Sequence, residues 1–179
     1  MIVERFGDVT LKGTPQTVLG NKLQVGDKAP NFTLRANDWR EVTLADSTGK
    51  VRLISVVPSL DTGICDMQTR RFNEEAANLG KDVVILTISA DLPPAQKRWC
   101  GAAGVDQLRT LSDHYDMNFG LAYGTYVKEM RWEQRSIFVV DAEDRVRYVE
   151  YVPEIAQHPD YEAALTAVRE VLGRALPVM

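Results

Sequence analysis

The sequence predicts an α/β fold: a central mixed sheet flanked by helices, with a β-hairpin added at the N-terminus. Three observations predict it. Two apolar runs, Leu53 to Val57 and Val83 to Ser89, have the length and β-branched content of strands buried on both faces. Between them Ile64, Met67, Phe72, Ala76 and Leu79 follow helical spacing, and strand, helix and second apolar strand argue for parallel pairing through a right-handed crossover. Towards the C-terminus Ser136 to Asp141 and Val146 to Val152 are joined by Ala142-Glu143-Asp144-Arg145, an antiparallel hairpin that makes the sheet mixed.

Taken in order, residues 1 to 26 alternate apolar and polar types between turn residues (Val9 to Lys12, Gly13-Thr14-Pro15, Thr17 to Leu19, Gly20-Asn21-Lys22), which reads as the N-terminal hairpin. Val25 to Pro30 is a turn into the short extended piece Asn31 to Leu34. Asp38 to Leu44 reads as another short strand or turn, and Asp46 to Lys50 as a loop. The strand ending near Val57 is stopped by Pro58, which cannot donate to a ladder, and Ser59 to Gly63 are turn and N-cap residue types opening the first helix. Asp91-Leu92-Pro93-Pro94 starts a second helix, Ala95 to about Ala102, closed by Gly101 and Gly104. Leu108 to Leu111 is a third short strand. Residues 112 to 134 carry no clear period; Ser112-Asp113 can cap a short helix, and Gly120 to Tyr126 reads as loop. Pro159 and Asp160 begin a last helix with a stripe of Tyr161, Ala164, Leu165, Val168, Val171 and Leu172. This order is that of a thioredoxin-like domain, and no linker divides it, so residues 1–179 read as one domain with 1–26 as a hairpin extension.

Composition narrows the function. The 179 residues are 45% hydrophobic and 26% charged, enough for a full-sized core. The net charge of -4 and the absence of basic clusters larger than Arg70-Arg71 exclude a nucleic-acid footprint. No stretch has the length of a signal peptide or membrane span, so the chain reads as a cytoplasmic protein without a membrane partner. Two cysteines are too few for a disulfide scaffold, and with His114 and His158 they show no metal-ligand spacing.

Cys65 sits in the first turn of a helix fed by a core strand, where helix N-terminal amides favour a thiolate. The thiolate is the nucleophile, and lowering a thiol's pKa by two units requires about 2.7 kcal/mol of preferential stabilisation of the anion. Thr62 is three residues away and offers a hydroxyl; Arg70, Arg71 and Arg135 offer a guanidinium, Arg135 at the mouth of the run Ile137 to Val140. Each also has a plainer reading. Cys65 reads as a small core hydrophobe, Asp61 and Thr62 as helix caps, Arg135 as a solvated strand-end charge, and Cys100, next to Trp99, as core filling.

Pro58-Ser59-Leu60-Asp61-Thr62-Gly63-Ile64-Cys65, followed by Arg70-Arg71-Phe72-Asn73, resembles the peroxidatic-cysteine motif of the peroxiredoxins, with a proline and a threonine seven and three residues before the cysteine. More narrowly the chain is similar to the bacterial thiol peroxidases, atypical two-cysteine peroxiredoxins. The likeness extends through Val9 to Gly13, Val25 to Pro30, Ile88 to Pro93, Cys100-Gly101 and Pro159 to Ala164. It implies that Cys65 attacks a hydroperoxide and becomes a sulfenic acid. Thr62 and Arg135 would hydrogen-bond the thiolate and peroxide, Pro58 would shield the thiol from water, and Cys100 would resolve the sulfenic acid as an intramolecular disulfide. A thioredoxin-like donor would reduce that disulfide. The resemblance also implies a homodimer and no cofactor; hydrogen peroxide and organic hydroperoxides are the expected substrates.

Closing the disulfide needs Cα atoms within about 7 Å, so two helices each anchored by an apolar face are expected to unwind in part. Other functions on the same fold compete. A thiol-disulfide oxidoreductase would carry Cys-x-x-Cys, whereas Cys65 is followed by Asp66-Met67-Gln68. A cysteine hydrolase would need a histidine base paired to the thiol, and a binding module would leave both thiols inert.

Overall fold

A computed structural model describes residues 1–173. The chain opens with β1 (Glu4–Leu11) and β2 (Thr14–Leu19), an antiparallel pair turning through Lys12 and Gly13. Both turn residues have positive φ, 49° and 82°, the arrangement whose twist suits a two-residue hairpin and for which the second position wants glycine. Then follow β3 (Thr33–Arg35) and β4 (Glu41–Thr43), a second hairpin, and a 3₁₀ turn over Leu44–Ser47 that takes in the start of the Asp46 to Lys50 loop.

The central unit is β5 (Val51–Val56), α1 (Gly63–Leu79), β6 (Val83–Ser89), α2 (Pro93–Ala103) and β7 (Arg109–Ser112). As the patterning predicts, β5, β6 and β7 pair in parallel. Antiparallel β10 (Ser136–Val140) and β11 (Val146–Tyr151) extend the sheet on one side and β3 and β4 on the other, giving seven strands in the order β11-β10-β5-β6-β7-β3-β4. The chain's last described helix is α4 (Tyr161–Val171), capped by Asp160, whose carboxylate accepts the Ala163 amide at 2.9 Å.

Alternate residues of the buried strands feed two cores. Leu53, Val57, Ile85, Ile137 and Val139 face α1, α2 and α4 and pack with Phe72, Leu79, Leu165 and Val168. Ile54, Val56, Leu86, Ile88, Phe138 and Val140 face the opposite way. Burying each such side chain contributes on the order of 1.5–3 kcal/mol, so the sheet is pinned from both sides. Among the described residues no helix is long and apolar enough to cross a membrane.

Three expectations need correction. The β5 strand begins at Val51, two residues before the apolar run, because Arg52 is fully buried: its guanidinium donates to Ser47 Oγ, Leu44 O, Asp141 O and Asp144 Oδ1. The second helix begins at Pro93 rather than Ala95, both prolines fitting where no amide donor is needed. Residues 118 to 123, within the stretch read in part as loop, form α3 (Asn118–Tyr123), and β8 (Tyr126–Val127) and β9 (Trp132–Glu133) follow. Tertiary contacts override the weak local pattern there: the Asp113 carboxylate accepts the amides of Phe119 and Gly120, and the Phe119 and Tyr123 rings stack 4.2 Å apart. Gly120 allows the helix to lie on β9, since a Cβ there would stand 2.8 Å from a Glu133 carboxylate oxygen. β8 and β9 join the N-terminal hairpin in a second sheet, β1-β2-β8-β9.

Candidate active site

Cys65 is the third residue of α1, reached from the end of β5 through Val57 to Thr62. Its side chain is fully buried, in contact with the core of Leu53, Val57, Leu60 and Phe72. The connecting loop is held by Asp91, at the end of β6, which accepts the Ser59 hydroxyl at 2.7 Å and the Leu60 amide at 2.8 Å. Pro58 is buried within it. Thr62 is the N-cap residue of α1, but its hydroxyl donates to Ser59 O at 3.0 Å, so it neither caps the helix nor bonds the sulfur.

Of the three arginines offered by the sequence, Arg135 meets the thiol. It precedes β10 by one residue, and that strand pairs with β5, so the topology carries a strand-end residue to the end of the strand that feeds Cys65. The plainer reading of a solvated strand-end charge does not hold, since the side chain is 1% exposed. Its Nη2 donates to Cys65 Sγ at 3.3 Å and to Ile155 O at 2.9 Å, its Nε to the same carbonyl at 3.3 Å, and its Nη1 to Gln68 Oε1 at 2.8 Å. Gln68, one helical turn beyond Cys65, donates in turn to Ser55 Oγ on β5 at 2.7 Å. The i+3 spacing from Cys65 was the only sequence signal for Gln68. Nothing local marked Ile155.

The N-terminal hairpin reaches this site through Ile155. Thr10 of β1 donates its amide to Pro153 O and accepts the Ile155 amide, each at 2.9 Å. Glu154 accepts from the Thr10 hydroxyl at 2.5 Å, from the Lys12, Gly13 and Ala156 amides, and so ties the hairpin turn to the same segment. Burial pushes the Glu154 carboxyl upward, yet these hydrogen bonds together outweigh it and hold the group down at about 2. The carbonyl that orients Arg135 is therefore braced by β1. Tyr161, at the start of α4, packs edge-on to Phe72 with centroids 5.5 Å apart. Burial raises its phenol, while the charges of Arg135 and Arg71 draw it down.

Arg70 and Arg71 serve other contacts. Arg71 pairs with Glu75 and Glu162. Arg70 donates to Asp66 Oδ2 at 2.8 Å and to Ala103 O at 3.1 Å, and lies over the Trp99 ring at 5.7 Å. Trp99 donates its indole N–H to Asp66 Oδ1 at 3.1 Å, so α1 and α2 are clamped together beside the two cysteines. Cys100 is partly buried on α2, its Sγ 3.5 Å from Thr110 Oγ1 on β7; both cysteines are free thiols. The structure thus brings Cys65 and Arg135 together, leaves the Thr62 hydroxyl turned to its own loop, and holds Cys100 against a different strand. Each histidine ring faces a hydroxyl: His114 Nδ1 is 2.9 Å from Ser112 Oγ and His158 Nδ1 2.7 Å from Tyr161 Oη. Among the described residues no cluster of three His, Cys, Asp or Glu side chains is placed to hold a metal ion.

A second buried polar cluster was not anticipated. Asp113 and Glu133 share one site beneath α3, where the Thr125 hydroxyl donates to Glu133 Oε2 at 2.5 Å. Burial raises both carboxyls above their ordinary range, Glu133 well above it, and the Asp113 charge adds to the rise at Glu133.

Comparison with known proteins identifies the family. The redoxin family model matches residues 24–165. The chain is 62% identical over 167 residues to a thiol peroxidase of Halalkalibacterium halodurans, covering 93% of this chain and 100% of that one. It is 56% identical over 167 residues to the thiol peroxidase of Bacillus subtilis, covering 93% and 99%. Among solved structures, a peroxiredoxin-like protein from Aquifex aeolicus superposes with a TM-score of 0.86 at 34% identity, covering 95% of this chain and 98% of that one. A thiol peroxidase from Chromobacterium violaceum, at 20% identity and TM-score 0.82 over 93% and 98% of the two chains, shares the fold. With the redoxin model spanning residues 24–165 and more than half of the residues shared with thiol peroxidases over nearly the whole chain, this chain belongs to the redoxin family, in its thiol peroxidase branch, and is a thiol-dependent peroxidase.

Proposed function

We propose that Cys65 is the peroxidatic cysteine, that Arg135 and Thr62 stabilise the charge it develops, and that Cys100 resolves the product. The Arg135 hydrogen bond to Cys65 carries this reading. A guanidinium at 1% exposure needs a compensating charge, and its other partners are an amide oxygen and a backbone carbonyl, neither of which ionises. The sulfur is the one partner that can become an anion. Its thiolate attacks the terminal oxygen of a hydroperoxide; the O–O bond breaks, the sulfur is oxidised to S–OH, and an alcohol or water leaves after taking up a proton. Arg135 Nη2, already at the sulfur, is placed to follow the charge onto the departing oxygen. The Thr62 hydroxyl can turn from Ser59 O towards the bound peroxide, and buried Pro58 walls that side from water.

Cys100 then supplies its thiol, giving a Cys65–Cys100 disulfide and water. A thioredoxin-like dithiol donates two electrons and two protons to restore both thiols. Chain-entropy arguments reward a loop of this length by about 4 kcal/mol, which supports a stable oxidised form. Hydrogen peroxide and organic hydroperoxides are the substrates, the chain acts as one domain paired in a homodimer, and the setting is a bacterial cytoplasm. The test compares peroxide consumption with thioredoxin and thioredoxin reductase in wild type and two variants. Cys65→Ser is expected to lose activity completely; Cys100→Ser is expected to consume one equivalent of peroxide and stop. Sustained turnover by Cys65→Ser would overturn the assignment.

A further inference from the structure

The contacts of Cys100 carry an inference about the resting protein, which rests on the reading of Cys100 as the resolving cysteine. Its Sγ lies 3.5 Å from Thr110 Oγ1, and the Thr110 hydroxyl lies 2.9 Å from Asn37 Oδ1. A threonine hydroxyl has one proton, and an amide oxygen only accepts. That proton is therefore committed to Asn37, and the contact with Cys100 runs from the thiol S–H to Thr110 Oγ1. Thr110 is 4% exposed on the inner strand β7, so its oxygen is a fixed point, and Asn37 in the turn between β3 and β4 fixes the direction of its proton. A cleft of about 330 Å³ lined by Asn37, Arg40, Val42, Thr110 and Cys100 leads to the thiol.

We propose that the Thr110 hydroxyl, oriented by Asn37, is a positioning group that retains the Cys100 thiol on β7 and sets how fast it leaves to close the disulfide. When Cys100 departs, the S–H bond to Thr110 is given up. The thiol sulfur displaces oxygen from the Cys65 sulfenic acid, the S–O bond breaks as the S–S bond forms, and the thiol proton leaves with the hydroxyl as water. The Cys100 sulfur is oxidised as the Cys65 sulfenic sulfur is reduced by the same amount, so the peroxide's oxidising equivalents suffice and no further oxidant is needed.

Thr110→Val keeps the shape and removes the acceptor, while Thr110→Ser restores it. Two readings are needed. In a Cys65→Ser background, where no disulfide can form, iodoacetamide alkylation of Cys100 is measured in urea well below the unfolding transition. Thr110→Val is expected to raise the rate roughly two- to tenfold, the factor a lost hydrogen bond sets, with Thr110→Ser close to the parent. With Cys65 present, stopped-flow fluorescence after one equivalent of hydrogen peroxide is expected to show disulfide closure faster by a similar factor in Thr110→Val alone. An unchanged alkylation rate, equal rates in the valine and serine variants, or a rise with the full denaturant dependence of global unfolding would each overturn the retention role. If alkylation responds as expected but wild type forms no Cys65–Cys100 disulfide, the resolving role of Cys100 fails and the retention contact stands.

Discussion

Replacing Arg135 by lysine keeps the buried charge and removes the fork. The arginine makes four hydrogen bonds: two to Ile155 O, one to Gln68 Oε1 and one to Cys65 Sγ. Its separate nitrogens reach a backbone carbonyl, the amide of Gln68 and the sulfur at once. A lysine ammonium is one nitrogen with three donors and cannot span that set. If it stays with Ile155 O and Gln68, the sulfur loses the donor that would follow its charge. Removing one such donor costs about 2.7–4 kcal/mol of transition-state stabilisation, a rate loss of roughly 10²–10³. If it turns to the sulfur, a buried acceptor is left without a partner at about 1–3 kcal/mol of stability. Stopped-flow oxidation of Cys65 by hydrogen peroxide reads the first cost and urea unfolding reads the second. Arg135→Lys is expected to oxidise at least 100-fold more slowly, or to lose stability and retain part of the rate. Oxidation within threefold of wild type with unchanged stability would refute the placement of Arg135 as the group that meets the developing charge.

The other expectations concern polar groups away from the sulfur. Because Glu133 keeps its proton in the folded chain well above the value of an unfolded glutamate, 4.5, the native state binds more protons and stability falls as pH rises past that value. Glu133→Gln, neutral at every pH, is expected to show a shallower decline in urea midpoint as pH rises above 4.5. Glu154 behaves oppositely: with its carboxyl held at about 2, its contribution is present above 4.5 and is lost as pH falls towards 2. Glu154→Gln is expected to reduce the acid sensitivity of the thermal midpoint in that window, and to slow Cys65 oxidation by loosening the segment that presents Ile155 O. Thr87 Oγ1 is buried without a partner between Ser55 and Thr110, its neighbours on β5 and β7. Thr87→Val is expected to be neutral or stabilising by up to about 1 kcal/mol in urea unfolding.

What the sequence shows depends on where the determining contacts lie. The β5-α1-β6 crossover and the C-terminal hairpin are legible because buried strands and an amphipathic helix write their period into consecutive residues. Cys65 is legible because a thiol in the first turn of a helix is a local feature. Arg135 was visible as a candidate, but its burial was not: a charge at a strand end reads as solvated unless one knows that the strand lies beside β5 and that Ile155 folds over it. Arg52 shows the same limit, since its four acceptors come from two segments far apart in the chain, Leu44 to Ser47 and Asp141 to Asp144. Helix α3 and strands β8 and β9 were missed because they are short and owe their form to Asp113, Gly120 and the hairpin edge, none of which has a period. The hairpin itself was seen as an addition. Through Thr10 and Glu154 it is part of the scaffold that holds the Arg135 guanidinium against the Cys65 sulfur.

The positions of the two cysteines within their helices decide how large a rearrangement the proposed disulfide requires. Cys65 lies in the first turn of α1, and Cys100 in the last turn of α2, where Gly104 takes the left-handed conformation and returns its amide to Cys100 O. Val105 donates to the same carbonyl at 3.0 Å. Releasing Cys100 therefore means giving up the hydrogen bonds of one terminal turn, and releasing Cys65 means fraying the opposite end of its neighbour. Terminal turns open at far lower free energy than helix interiors. The clamp of Asp66, Trp99 and Arg70 ties the two helices at residues adjacent to the thiols. Part of the clamp lies in the segments that fray, yet Arg70 sits a turn deeper in α1, so the helices can stay neighbours while their ends loosen. Disulfide closure then needs only the local unwinding of two ends already held side by side, and the two halves of the sheet beneath them need not move.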